Sequence, residues 1–116
     1  MITLDMTISQ AIEQLQGDLG LTQKELANAL GTSSRTLERW ITHSHHPQQE
    51  ARARIHALLA LDQRLQETFD SRDTIKEWMR ARNRYLRGLR PVEVAAAGRF
   101  DVVEAALDAL DDGIFV

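Results

Sequence analysis

No cysteine occurs in the 116 residues, which excludes a disulfide framework, a thiolate metal centre and a cysteine nucleophile, and makes a reducing cytoplasm the expected compartment. Proline is scarce too, with two in the chain, Pro47 and Pro91, so most of the sequence is free to be helical. Aromatic residues make up 5% of the chain, leaving a core to be built from aliphatic side chains. No apolar run approaches the roughly 20 residues of a membrane-spanning helix. The opening Met1-Ile2-Thr3-Leu4-Asp5-Met6 lacks the basic and apolar blocks of a signal peptide, so no membrane partner is expected. Alternating strand patterns, low-complexity segments and internal repeats are likewise missing. What remains is 43% hydrophobic and 27% charged, the composition of a folded, helix-rich chain.

The net charge of −3 is unevenly spread: −3 over residues 1–50, +5 over residues 51–90 and −5 over residues 91–116. Strong sequence-independent binding to nucleic acid draws on clustered Lys and Arg. The acidic first segment argues against it there, and the basic residues gather in the middle of the chain.

Helical periodicity divides the chain. Thr7-Ile8-Ser9-Gln10 has the form of a capping box, followed by Ala11, Ile12 and Leu15 at helical spacing until Gly17 and Gly20. Thr22-Gln23-Lys24-Glu25 repeats the signal, with Leu26, Ala27 and Leu30 on one face and Gly31 at the turn. Ser33 caps a third helix striped by Leu37, Trp40 and Ile41. Pro47 is placed to open a long helix to about Phe69, whose apolar side chains suggest a dimer seam. Asp70-Ser71-Arg72-Asp73 breaks the pattern before a helix carrying Ile75, Trp78 and Met79 to near Asn83. Pro91 opens another that Gly98 closes, and a last helix runs from about Asp101 to Leu110, stopped by Gly113. The fold class is all-α: an N-terminal helix-turn-helix bundle, residues 1–66, joined by the long helix to a small helical C-terminal domain, residues 67–116.

Residues 21–40 resemble the phage-repressor-like, Xre-type helix-turn-helix. Small Ala27 permits close helix crossing, Gly31 makes the turn, and Leu26, Leu30, Leu37 and Trp40 hold the second helix on the first. In that family the second helix enters the major groove of double-stranded DNA. The resemblance puts Ser34, Arg35, Thr36 and Arg39 near base edges and Gln23 and Ser33 near phosphates. An arginine at position 35 suits a bidentate contact to guanine, worth about 1 to 3 kcal/mol of discrimination.

The second half carries Trp78, Asn83, Leu86, Gly88, Pro91, Gly98, Arg99, Val103, Leu107, Leu110, Gly113, Phe115 and Val116. In this order they resemble the toxin-binding domain of the Xre/MbcA/ParS antitoxins, partners of RES-domain toxins. The resemblance implies an antitoxin that binds a toxin that consumes NAD or transfers ADP-ribose from it, and that places its last residues at the toxin's active site. Trp78, Arg82, Arg99, Gly113, Ile114, Phe115 and Val116 are the toxin-binding residues expected on this basis. The apolar Ile114-Phe115-Val116 suits such a role, because chain ends in water favour polar residues. Antitoxins of this kind usually form homodimers within a larger hetero-oligomer. The alternative is a free-standing repressor whose second half only oligomerises.

Five arginines crowd residues 80–90, and the acidic residues 91–116 offer them an internal partner. Tyr85 is the one aromatic among them, a poor platform for stacking single-stranded bases. Nothing converges on catalysis. His43-x-His45-His46 is a partial ligand set, Asp70, Asp73, Asp111 and Asp112 sit at helix ends, and Ser33-Ser34 has no neighbouring base. The expectation is no enzyme activity, no metal and no cofactor.

Overall fold

The computed structural model describes residues 7–113, all helix and connection. Among them, seven helices follow in order: α1 Ile8–Leu19, α2 Gln23–Ala29, α3 Ser34–Ile41, α4 Gln49–Thr68, α5 Arg72–Arg80, α6 Pro91–Ala96 and α7 Phe100–Asp111. The all-α class expected from periodicity is the class observed.

Local chemistry sets most of the boundaries. The Thr7 and Thr22 hydroxyls accept from the Gln10 and Glu25 amides, and the Gln10 and Glu25 side chains accept from the Thr7 and Thr22 amides, completing both capping boxes. Ser33 and Ser71 cap α3 and α5 in the simpler way, each accepting from a backbone N–H three residues on at 3.1 Å. Pro91 is the first residue of α6, where a missing N–H costs nothing. Pro47 does otherwise. It lies buried one residue before the N-cap Gln48, and α4 starts at Gln49, two residues later than expected. The helix expected to reach Asn83 ends at Arg80, because residues 81–90 form a compact loop.

α4 runs through the centre, packing against α1, α5 and α7, while α1 also meets α3 and α5, and α2 meets α3 and α6. Ile55, Leu58, Leu61 and Leu65 of α4 are buried in this packing. The apolar side chains that suggested a dimer seam are therefore spent inside the chain, and α4 presents Arg52, Ala53, His56, Ala57, Ala60 and Gln63 outward. One hydrophobic cluster among the described residues reaches from Ile12, Leu15 and Leu37 to Met79, Val92, Val103 and Leu107. At roughly 1.5 to 3 kcal/mol for each fully buried aliphatic side chain, this cluster dominates the stability.

Polar struts cross between the first and second halves. Arg80 grips Glu25 through Nη1 at 2.9 Å and Nη2 at 2.6 Å, and also donates to the Gly20 carbonyl at 2.8 Å. Arg72 reaches Asp18 at 2.9 Å. Arg64 links α4 to α7 through Asp108 and Asp111, both at 2.8 Å. Asp62 of α4 is 1% exposed and faces Asp18, with Gln14 and Gln66 donating to its carboxylate at 3.4 and 3.1 Å.

Candidate functional site: the helix-turn-helix face and the C-terminal half

In α2 and α3 the expected turn is realised. Gly31 has φ of 72°, the left-handed region that a side chain resists, and a Cβ there would lie 2.9 Å from the Arg54 guanidinium of α4. Leu26, Ala27, Leu30, Leu37 and Trp40 are buried between the two helices and the bundle. Their burial leaves Ser33, Ser34, Arg35, Glu38 and Arg39 exposed, with Thr36 half-buried. Arg35 and Arg39 are four residues apart and so share a face of α3, and neither makes an ion pair among the described residues.

The six residues expected at DNA are not equivalent. The Gln23 side chain donates to Glu38 Oε2 at 2.9 Å and to the Ser34 carbonyl at 3.4 Å, which fixes it against α3. Ser33 uses its hydroxyl to cap α3 and to donate to Thr36 at 3.1 Å. Ser34, Arg35 and Arg39 are exposed, and their side chains make no hydrogen bond or ion pair among the described residues. Glu38 adds an exposed carboxylate to this face, where it accepts from the Gln23 amide. Beside α3, a cleft of about 330 Å³ opens between the α2–α3 turn and the start of α4, lined by Thr32, Thr36, His45, His46 and Arg54 among others. No group of three or more His, Asp and Glu among the described residues is placed to hold a metal ion.

The expected toxin-binding residues occupy separate places. Trp78 is half-buried and packs on Phe69, ring centroids 5.6 Å apart and planes tilted by 43°. Arg82 is exposed and donates to the Gly88 carbonyl at 3.1 Å. Arg99 pairs with Asp101 at 3.3 Å at the start of α7, which holds the Asp101 carboxyl below its ordinary range. Gly113, φ 73°, turns the chain after α7. No hydrogen bond or ion pair among the described residues joins these four to one another. Ile114, Phe115 and Val116 lie outside the described residues. Of the basic segment, Arg80 and Arg90 are self-paired, Arg90 with Glu93 at 2.9 Å, whereas Arg84 and Arg87 have no side-chain partner among the described residues.

Residues 64–113 match the family described as the antitoxin Xre/MbcA/ParS C-terminal toxin-binding domain. The chain is 33% identical over 113 residues to the mycobacterial cidal antitoxin MbcA of Mycobacterium bovis and of Mycobacterium tuberculosis, covering 97% of this chain and 96% of each relative. This chain belongs to the Xre/MbcA/ParS antitoxin family. A second M. tuberculosis relative, the probable mycobacterial cidal antitoxin Rv3188, is 30% identical over 118 residues, covering 99% of this chain and 98% of its own. Among solved structures, a chain of the M. tuberculosis MbcT-MbcA toxin-antitoxin complex superposes with a TM-score of 0.70 at 27% identity, covering 99% of this chain and 100% of that one. The family match begins inside α4 and takes in α5, α6 and α7, so the matched segment shares its core with α2 and α3.

Proposed function

We propose that this chain neutralises a cognate RES-domain, NAD-consuming toxin, binding it through the second half and setting the apolar segment 114–116 at the toxin's active site. In the same reading, α2 and α3 bring a homodimer to operator DNA, so that the antitoxin represses its own operon. The observation that carries this reading is the likeness along the whole chain to a protein whose structure is that of a toxin-antitoxin complex. An apolar Ile-Phe-Val segment after the Gly113 turn supports the insertion of that segment into a cleft. The exposed Arg35 and Arg39 on a buttressed second helix support the reading of DNA.

The test is co-expression with the adjacent open reading frame. Growth arrest by that frame alone, relieved when this chain is present and accompanied by co-purification, is the expected result. A chain shortened by residues 114–116 is expected to lose inhibition of the toxin, with circular dichroism checking that it still folds. Full inhibition by the shortened chain overturns the insertion of the tail.

A further inference from the structure

The loop between α5 and α6 is more strictly built than its sequence suggests. The Asn83 carbonyl accepts from the Leu86 and Gly88 amides at 3.1 and 2.9 Å, and the Asn83 amide donates to the Leu89 carbonyl at 3.0 Å. The Asn83 side chain accepts from the Leu86 amide as well, at 3.3 Å. Leu86 is buried and pins the loop to the core. Arg87 sits at φ 59°, a left-handed conformation that costs a residue with a Cβ about 1 to 2 kcal/mol.

That strain and order hold specific side chains outward. Among the described residues the large hydrophobic side chains left exposed are Tyr85, at 41%, and Leu89, at 48%, and both are on this loop. Arg84 and Arg87 are exposed beside them with no side-chain hydrogen bond or ion pair among the described residues, in contrast to Arg64, Arg72, Arg80, Arg90 and Arg99, each of which has a carboxylate. Tyrosine and arginine around an apolar anchor are the side chains that protein interfaces concentrate. A phosphate backbone has no use for the exposed Leu89, whereas an apolar pocket on a protein does.

We propose that residues 82–90 form a docking finger for the toxin: Leu89 and the Tyr85 ring enter an apolar pocket whose rim carries carboxylates that face Arg84 and Arg87. This rests on the antitoxin reading and adds to it a second contact, separate from the tail, that governs association. The partner's chemistry follows from the finger: the loop's two uncompensated guanidinium groups call for acidic side chains on the other surface, and long-range attraction between them speeds encounter.

The test uses the full-length chain and its co-purifying toxin, with association and dissociation rates measured at low and high salt. Arg84→Glu with Arg87→Glu is expected to slow association by about tenfold or more at low salt and to flatten the salt dependence. Arg84→Lys with Arg87→Lys restores most of it, and Leu89→Ser is expected to speed dissociation about tenfold, since the loss falls on a buried anchor. Circular dichroism and operator binding stay as in the unaltered chain. If Leu89→Ser lowers the melting temperature, slowed association by Arg84→Gln with Arg87→Gln, on side chains without internal partners, carries the test instead. Wild-type rates in all variants overturn the finger while leaving the antitoxin reading standing. Loss of operator binding alone overturns it in favour of a nucleic-acid contact. If the unaltered chain captures no toxin, the antitoxin reading falls and the finger with it.

Discussion

Asp62 lies in the core with its carboxyl against that of Asp18, and burial, then the hydrogen bond with Asp18, pushes its pKa up to about 7. Unfolded, the same group titrates near 3.8. The folded chain therefore holds a proton that the unfolded chain releases, so the contribution of Asp62 to stability is complete below the lower value and is lost as pH rises to the upper one. Glu25 works in the opposite sense. Its hydrogen bonds from Arg80 hold the carboxyl below its ordinary 4.5, so its contribution is present above that value and disappears as pH falls through the lowered one. Asp62→Asn keeps a donor toward Asp18 and one acceptor oxygen, giving up one of the two hydrogen bonds from Gln14 and Gln66. It is expected to raise the melting temperature above about pH 7 and to flatten its decline between about pH 5 and 7. Thermal melts of both chains across this range check it, and parallel slopes count against the buried proton. The pair was invisible in the sequence, because Asp18 and Asp62 are brought together only by the crossing of α1 and α4.

Individual helices were easier to read than their neighbours in space. Thr7, Thr22, Ser33 and Ser71 announce their helices because a cap is satisfied within three residues, and Gly20, Gly31, Gly98 and Gly113 announce the ends because each takes a positive φ. Pro47 misleads for a local reason. Its fixed φ suits the residues before a helix as well as the first helical position, and here the ring is buried ahead of Gln48. Of the residues expected at DNA, the exposure of Ser34, Arg35 and Arg39 follows from the stripe of Leu37 and Trp40 on the opposite face of α3, whereas the engagement of Gln23 with Glu38 depends on how α2 crosses α3. Arg35 is left as the long, unpaired donor on that helix's first turns. Arg35→Ala is expected to weaken operator binding by about 1 to 3 kcal/mol and to relax preference at one base pair, measured by fluorescence anisotropy on the operator and its single-base variants. Unchanged affinity and preference remove it as a base reader.

Both halves draw on one core. The division at residues 66 and 67 falls inside α4, and α1 meets α5 while α2 meets α6, contacts that no periodicity in the chain announces. We propose that the separation into a DNA-binding and a toxin-binding half is one of surface roles. The two tryptophans report this directly, since Trp40 belongs to α3 and Trp78 to α5. In urea, single-tryptophan variants Trp40→Phe and Trp78→Phe, followed by fluorescence and by circular dichroism, are expected to show for each variant coincident transitions. Two separated transitions within one variant mean that the halves melt independently.

The grip of Arg80 on Glu25 and the Gly20 carbonyl has a corollary for how such proteins diversify. Exchange of the last fifty residues for a segment with no arginine at position 80 would leave Glu25 and the Gly20 carbonyl without that guanidinium, so a working chimera has to bring both sides of the seam together. Substitutions at exposed positions of the loop before Pro91 leave that seam untouched.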